Sequence, residues 1–278
     1  MKIKHYLSVI KKHPKPIKFI VAKLLYHTKI CRLLVINQDG YKLRFHPSNL
    51  ACQLWINPEQ RKNDLAFFNA YLKSGDYVID VGANIGDTVL TASNLVGKNA
   101  TVIAIEAHPR TFSFLIDNLK LNNIGNVITF NSAIGDMVGE LEFSDNWRDD
   151  MNRVGKGSLK VSVNTLNNLI TNEDEVALLK IDVEGYEKFV IDGANKILKN
   201  VKCIYFEVGE QHFSMYNYSI KDLLDLLEKH EFRLFKIVDF KQLSPINSMY
   251  KTDRVENLIA LRELEDFVIR TAWEIIDS

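Results

Sequence analysis

The 278-residue chain lacks the marks of several large protein classes. Its three cysteines, Cys31, Cys52 and Cys203, are odd in number and widely spaced, with no CxxC pair. That excludes a disulfide scaffold and a zinc ribbon, and makes a reducing, cytoplasmic setting the expectation. No stretch approaches the roughly 18 consecutive apolar residues of a membrane-spanning helix, and Lys11, Lys12, Lys15 and Lys18 break up any export-signal core. There is no G-x-x-x-x-G-K-[ST] phosphate loop and no G-x-S-x-G nucleophile elbow. An excess of one charge is missing too. The 35 Lys/Arg balance 35 Asp/Glu, whereas a nucleic-acid binder commonly carries a basic surplus. With 46% apolar and 25% charged residues, extensive disorder is excluded and a sizeable core is expected.

The balanced charge is unevenly distributed. The first 32 residues hold nine Lys/Arg and no acid, leaving 26 basic against 35 acidic groups in the rest. Interleaved with those cations are Ile10, Ile17, Phe19, Ile20, Val21, Leu24 and Leu25, the composition of a basic amphipathic segment. Such a segment either packs as a helical extension or associates weakly with an anionic membrane surface, the inner face included, or with a polyanion. A helix is expected over 17–30, and strands over 31–37 and 41–45 pair around Gln38-Asp39-Gly40. Residues 1–58 read as an N-terminal extension and 59–278 as the main domain, starting with a helix over 59–72.

From Tyr77 the pattern alternates. Strands are expected over 77–81, 101–105, 127–131, 176–181 and 203–207, and helices over 87–96, 109–122, 186–198 and 219–229. Residues 136–160 form a variable stretch, followed by a minor strand at 161–163 and a short helix at 165–170. Two final strands, 232–238 and 257–262, flank a loop at 240–256. The reading is an α/β fold, a Rossmann-like and mostly parallel sheet covered on both faces, with a closing antiparallel strand.

The chemistry concentrates after strands. Asp80-Val81-Gly82-Ala83-Asn84-Ile85-Gly86-Asp87-Thr88 runs from strand through glycine turn to helix, where backbone passes close to a ligand and free N–H groups meet an anion. The pattern is GxNxG, so the dinucleotide fingerprint is incomplete and a shorter, carboxylate-bearing nucleoside fits better. Glu106, twenty positions beyond Gly86, can accept from a ribose diol, and Asp136, after the third strand, from an adenine amino group. Asp182 ends the fourth strand, with Glu184, Gly185 and Glu187 behind it. Glu207 ends the fifth, with His212 just beyond. Asp182, Glu207 and His212 can deprotonate an acceptor or hold a hard divalent cation. Lys180 either pairs with a neighbouring acid or points to a sheet face. Trp55, Trp147, Tyr216 and Tyr218 are candidates to line an acceptor pocket.

VIDVGANIGDT, AIEAHP, NSAIGD, LLKIDVEGYE and IYFEV, in that order over roughly residues 76–210, resemble the FkbM family of S-adenosylmethionine-dependent methyltransferases. The resemblance implies a class I methyltransferase sheet of seven strands with the last antiparallel. It also implies O-methylation of a sugar, glycan or small-molecule hydroxyl. On that pattern Asp80, Gly82, Asn84, Gly86 and Thr88 belong to the cofactor-binding turn, Gly82, Asn84 and Gly86 approaching the methionine part, with Glu106 on the ribose and Asp136 or its neighbours on adenine. The family's TLDDL reads Thr165-Leu166-Asn167-Asn168-Leu169 here, so two expected acids are amides. Two other classes compete: an NAD-type oxidoreductase, disfavoured by the missing middle glycine, and a non-catalytic scaffold that keeps the fold.

Overall fold

A computed structural model of the chain describes residues 13–146, 151–172, 174–239 and 241–276. Lys2, Lys4, Lys11, Lys12 and Trp147 lie outside the described residues. The N-terminal part comprises α1 (Pro16–Thr28), a hairpin of β1 (Val35–Asn37) and β2 (Lys42–Arg44), α2 (Asn49–Ile56) and α3 (Lys62–Tyr71). Lys29, at φ +59°, ends α1, and the chain turns tightly through Ile30–Leu33 before β1 begins. That turn replaces the first half of the strand expected at 31–37. Helix α2 was not foreseen; Ser48 caps it, accepting the Ala51 N–H at 3.1 Å, which satisfies a donor the helix start leaves open.

The remaining elements are β3 (Val78–Val81), α4 (Asp87–Val96), β4 (Val102–Ile105), α5 (Pro109–Leu121), β5 (Val127–Phe130), β6 (Ala133–Ile134), β7 (Gly139–Phe143), β8 (Leu159–Asn164), α6 (Leu166–Leu169), β9 (Val176–Ile181), α7 (Glu187–Asp192), β10 (Val201–Val208), α8 (Glu210–Phe213), α9 (Ile220–Lys229), β11 (Arg233–Asp239), β12 (Gln242–Ile246), β13 (Glu256–Leu261), α10 (Leu264–Thr271) and β14 (Glu274–Ile275). The main sheet runs β14-β12-β11-β13-β10-β9-β3-β4-β5. Its β10-β9-β3-β4-β5 half is parallel, and β13 is antiparallel to both β10 and β11. This is the Rossmann-like, mostly parallel sheet that the sequence implied, but with nine strands in place of seven; antiparallel β13 is inserted between β10 and β11, and β12 adds a further antiparallel pairing beyond it.

Three boundaries differ from expectation. The variable stretch contains β7 and pairs with β8 and β6 in a separate three-stranded sheet. The helix expected over 186–198 stops at Asp192 and is capped by Gly193, where a Cβ would lie 1.9 Å from the Gly135 carbonyl oxygen. The expected loop at 240–256 contains β12, which extends the sheet outward from β11.

Strand residues alternate between two apolar layers, as period-two side chains must. Val78, Val102, Leu178 and Tyr205 face Phe67, Tyr71, Phe267 and Trp273, while Ile79, Ile103, Leu179 and Ile204 face Val190, Leu223 and Leu227. The first layer is continuous with Ala22, Tyr26, Leu43 and Phe45, so residues on both sides of position 58 share one core. Helix α9 is held by a capping box between Ser219 and Asp222 and buries Ile220, Leu223, Leu224 and Leu227, the i, i+3, i+4, i+7 stripe of a core-facing helix.

Candidate active site

Strand register builds the site. Val81 pairs with Ile105 on one side and Ile181 on the other, and Ile181 pairs with Phe206. The residues that follow, Gly82, Glu106, Asp182 and Glu207, therefore stand in one row at the carboxyl edge of the parallel strands. The strand order also reverses there, since β4 lies to one side of β3 and β9 to the other, which opens a crevice for a ligand. A cleft occupies that place and is lined by all four.

Gly82 leaves β3 at φ +84°, and a Cβ on it would sit 1.8 Å from the Asp182 carbonyl oxygen. The two strand ends thus touch through bare backbone, a fit only glycine provides. Asn84, also left-handed at φ +48°, donates its N–H to Glu106 Oε2 at 2.9 Å. Glu106 Oε1 accepts the His108 N–H at 2.8 Å. Backbone donors so fix the carboxylate, which has about four acceptor sites and can take a diol as well. The His108 ring is buried, caps α5 through the Arg110 N–H and contacts Asp145 at 3.1 Å; burial lowers its pKa.

Asp80, Gly86 and Thr88 do not line the cleft. Asp80 accepts from Thr88 Oγ1 and, at 2.9 Å, from Lys180 Nζ. Lys180 also donates to the Gly82 carbonyl at 3.2 Å and lies 3.6 Å from Asp182 Oδ2. Burial works against its charge, but the Asp80 and Asp182 carboxylates outweigh that and raise its pKa. A buried ammonium thus clamps β3 to β9 behind the glycine turn. Gly86 packs toward Leu115. Asp136 is exposed and outside the cleft; at that edge Ser132, Ala133 and Ile134 line it instead, with Phe143, Asn152 and Val154 across from them.

Beyond β9 the chain curls through Glu184 (φ +56°) and Gly185 (φ +104°). Glu187 folds back to accept the Val183 and Gly185 N–H groups at 3.0 and 3.4 Å, and burial pushes its carboxyl up to about 8. The curl turns Glu184 toward His212, whose Nδ1 lies 3.7 Å from Glu184 Oε2 and 3.8 Å from Glu207 Oε2. One ligand atom from each of Glu184, Glu207 and His212 falls within 4.8 Å of the others. The three-group cluster therefore contains Glu184 where the sequence suggested Asp182, which leans toward Lys180. His212 itself does not line the cleft, although Glu184 and Glu207 do. Burial first, then the Asp182 charge, raise the Glu207 carboxyl, while His212 pulls it back in part.

Sequence reading missed Arg61, Asn49, Leu50 and Gln53, which line the cleft from the N-terminal side. Arg61 lies 3.3 Å from Asp64 and 3.6 Å from Asp87. Burial opposes its charge, but Asp87, Asp64 and Asp182 raise its pKa overall. A single arginine at the start of an amphipathic stretch gives no sign of facing a site. The lining aromatics are Phe143 and Tyr186. Trp55 stacks on Phe45, and the Tyr216 and Tyr218 hydroxyls are used on the Val154 and Gly185 carbonyls. Asn167 and Asn168 bond to Asn195, Lys196 and Asn164 and also lie outside the cleft lining.

Residues 80–234, more than half the chain, match the family model of the methyltransferase FkbM domain. The chain is 28% identical over 186 residues to the ribosomal RNA large subunit methyltransferase E of Buchnera aphidicola, covering 62% of this chain and 81% of that protein. It is 25% identical over 184 residues to the hexuronic acid methyltransferase AglP of Haloferax volcanii, covering 63% and 74%. The solved methyltransferase FkbM from Methylobacillus flagellatus aligns over 76% of this chain and 52% of its own, with 15% identity and a TM-score of 0.46. Glycine turn, ribose-side carboxylate and acidic strand ends thus fall inside the matched region: the chain belongs to the FkbM methyltransferase family and is an S-adenosylmethionine-dependent methyltransferase.

Proposed function

We propose that the chain transfers the methyl group to a hydroxyl of a sugar or glycan. The observation that carries this is the row Gly82, Glu106, Asp182 and Glu207 opening onto one cleft, nucleoside-binding groups at one end and proton acceptors at the other. When bound, S-adenosylmethionine supplies an electrophilic methyl on a sulfonium sulfur. Glu106 takes the ribose hydroxyls, Gly82 and Asn84 lie along the methionine part, and Ser132–Ile134 take the place near adenine first assigned to Asp136. Asp182 orients the acceptor hydroxyl and receives its proton as the carbon–oxygen bond forms. Alignment and proton removal are the main contributions open to the protein. Residues 1–58 act as an extension on the methyltransferase domain 59–278, lending Asn49, Leu50 and Gln53 to the acceptor side.

A sugar acceptor is favoured over RNA on electrostatic grounds. Asp182, Glu184 and Glu207 face the cleft and the chain after residue 32 is net acidic, which repels a phosphate backbone. The named activity of the Haloferax relative, on a hexuronic acid, supports the same class. Arg61, a guanidinium in the lining, suits hydroxyl-rich or carboxylate-bearing rings. The three cysteines are buried thiols rather than disulfides, which suits a cytoplasmic setting.

Glu106→Ala is expected to weaken S-adenosylmethionine binding tenfold or more, since a hydrogen bond to a charged group is worth roughly 1.5–3 kcal/mol. Titration calorimetry measures it, and unchanged affinity for the cofactor and its demethylated product would remove Glu106 from the ribose site.

Two carboxylates and an imidazole also suit a divalent cation, and we propose Glu184, Glu207 and His212 as its ligands. Such an ion would lower the pKa of an acceptor hydroxyl. Calorimetric or paramagnetic titration with manganese is expected to show one site, weakened at least about tenfold in His212→Ala, the lower bound seen even for outer partners of metal ligands. Absence of binding, with chelator-resistant turnover, would leave Asp182 or His212 as a direct base.

A further inference from the structure

We propose that the outer face of α1 docks on an anionic membrane surface. The inner side of this helix is spoken for: Ala22 and Tyr26 are buried, and Phe19 and Leu25 pack against the same core. The opposite side is apolar and open. Ile17 is 78% exposed, Ile20 47%, Val21 38% and Leu24 63%. These four fall at i, i+3, i+4 and i+7, one stripe of an α-helix. A soluble helix normally turns such a stripe inward; here a second apolar face points outward.

The charge around the stripe identifies what covers it. At 100° per residue, Lys18 and Lys23 flank the stripe on opposite sides. Their ammonium groups lie 5.7 Å from the Trp55 and Phe19 rings. Lys29 and Arg32 follow just past the helix, and no acid occurs before Asp39. Just past the helix, Ile30 and Leu33 are exposed as well, Leu33 by 80%. An apolar stripe bordered by lysines is the chemistry of an interfacial helix, whose apolar side chains enter the acyl boundary while the cations meet anionic headgroups. Among the described residues no helix is long and apolar enough to cross a membrane, so the contact is peripheral.

The location bears on the reaction. The groove between α1 and α2 is lined by Lys15, Phe19, Lys23, Asn49 and Gln53, and the last two also line the catalytic cleft. Helix α2 therefore borders both the inner side of α1 and the site, and docking of α1 holds the cleft near the bilayer surface. The docking claim stands on α1 and is independent of the acceptor proposed above.

The test is co-sedimentation of the full chain with phosphatidylcholine–phosphatidylglycerol vesicles and with pure phosphatidylcholine vesicles, at low and high ionic strength. Binding to the anionic vesicles at low ionic strength, weakened by salt, is expected. Ile17→Asp with Leu24→Asp should reduce it at least about tenfold, because each loses the burial of a large aliphatic side chain. Both side chains are exposed, so the melting temperature and cofactor affinity should not change. Lys18→Glu with Lys23→Glu should abolish the preference for anionic lipid. Failure of the full chain to bind anionic vesicles at low ionic strength overturns the proposal. So does binding that the aspartate pair leaves intact, which would reduce the contact to lysines alone. Sedimentation velocity covers the rival occupant: a dimer dispersed by Leu24→Asp, with no vesicle binding, would assign the stripe to a second copy of the chain.

Discussion

Asp182→Asn is expected to lower methyl transfer by about 10²–10⁴-fold, the usual range for general acid–base assistance, while leaving cofactor affinity nearly unchanged. The substitution keeps shape and removes charge. An alcohol is a very weak acid, so its proton must leave as the new bond forms, and Asp182 stands in the cleft between Gly82 and Glu207. A second readout distinguishes this from a local structural effect. The Asp182 charge helps raise the Glu207 carboxyl. Removing it lets Glu207 ionise at lower pH, and any limb of the pH–rate profile that reports Glu207 should move in that direction. Wild-type rates with Asp182→Asn would take the residue out of proton transfer. Loss confined to His212→Ala would give that role to the imidazole.

Gly82→Ala is expected to be strongly destabilising and to abolish cofactor binding. The added Cβ meets the Asp182 carbonyl oxygen at 1.8 Å and its carbon at 2.8 Å, both backbone atoms. Left-handed φ alone costs an alanine roughly 1–2 kcal/mol. The collision adds to this by prising β3 from β9 where Lys180 clamps them. Gly75→Ala is the matched control: its φ is +92°, yet nothing lies within 4 Å of the new methyl. Thermal or denaturant unfolding should show about 1–2 kcal/mol lost at Gly75 and several kcal/mol at Gly82, out of a typical total of roughly 5–15. S-adenosylmethionine binding should vanish with Gly82→Ala and persist with Gly75→Ala. Equal effects would mean that the close approach of Gly82 to Asp182 does not matter.

The sheet was legible because its strands are short apolar runs ended by turn residues, and the row Gly82, Glu106, Asp182 and Glu207 could be read as strand ends before any coordinates. What sequence could not supply was direction. Asp80 and Thr88 belong to the glycine-turn segment, yet they spend their polar atoms on Lys180 and each other. Asp136 stands beside a cleft-lining segment but points to solvent. Conversely, Glu184 enters the His212 cluster only because two successive left-handed residues curl the chain, a feature of backbone geometry with no pattern of its own. Arg61, Asn49 and Gln53 reach the cleft through the packing of α2 and α3 on the sheet, which links residues far apart in the chain. Polar β7 was hidden because an edge strand can be polar, and β12 because its Pro245 lies beyond Gln242 and Leu243, the residues that pair with β14, where one side of the ladder is open.

On the proposed function, the carboxyl edge of β3, β4, β9 and β10 aligns a cofactor methyl with an acceptor hydroxyl. The most direct test is single-turnover transfer from methyl-labelled S-adenosylmethionine into a panel of neutral and acidic sugars and lipid-linked glycans, with RNA alongside, and mass analysis of the product. A stable methyl ether on a sugar hydroxyl is expected, formed by the wild type and about 10²–10⁴-fold more slowly by Asp182→Asn. Label on a nitrogen or carbon atom, or on RNA alone, would contradict it.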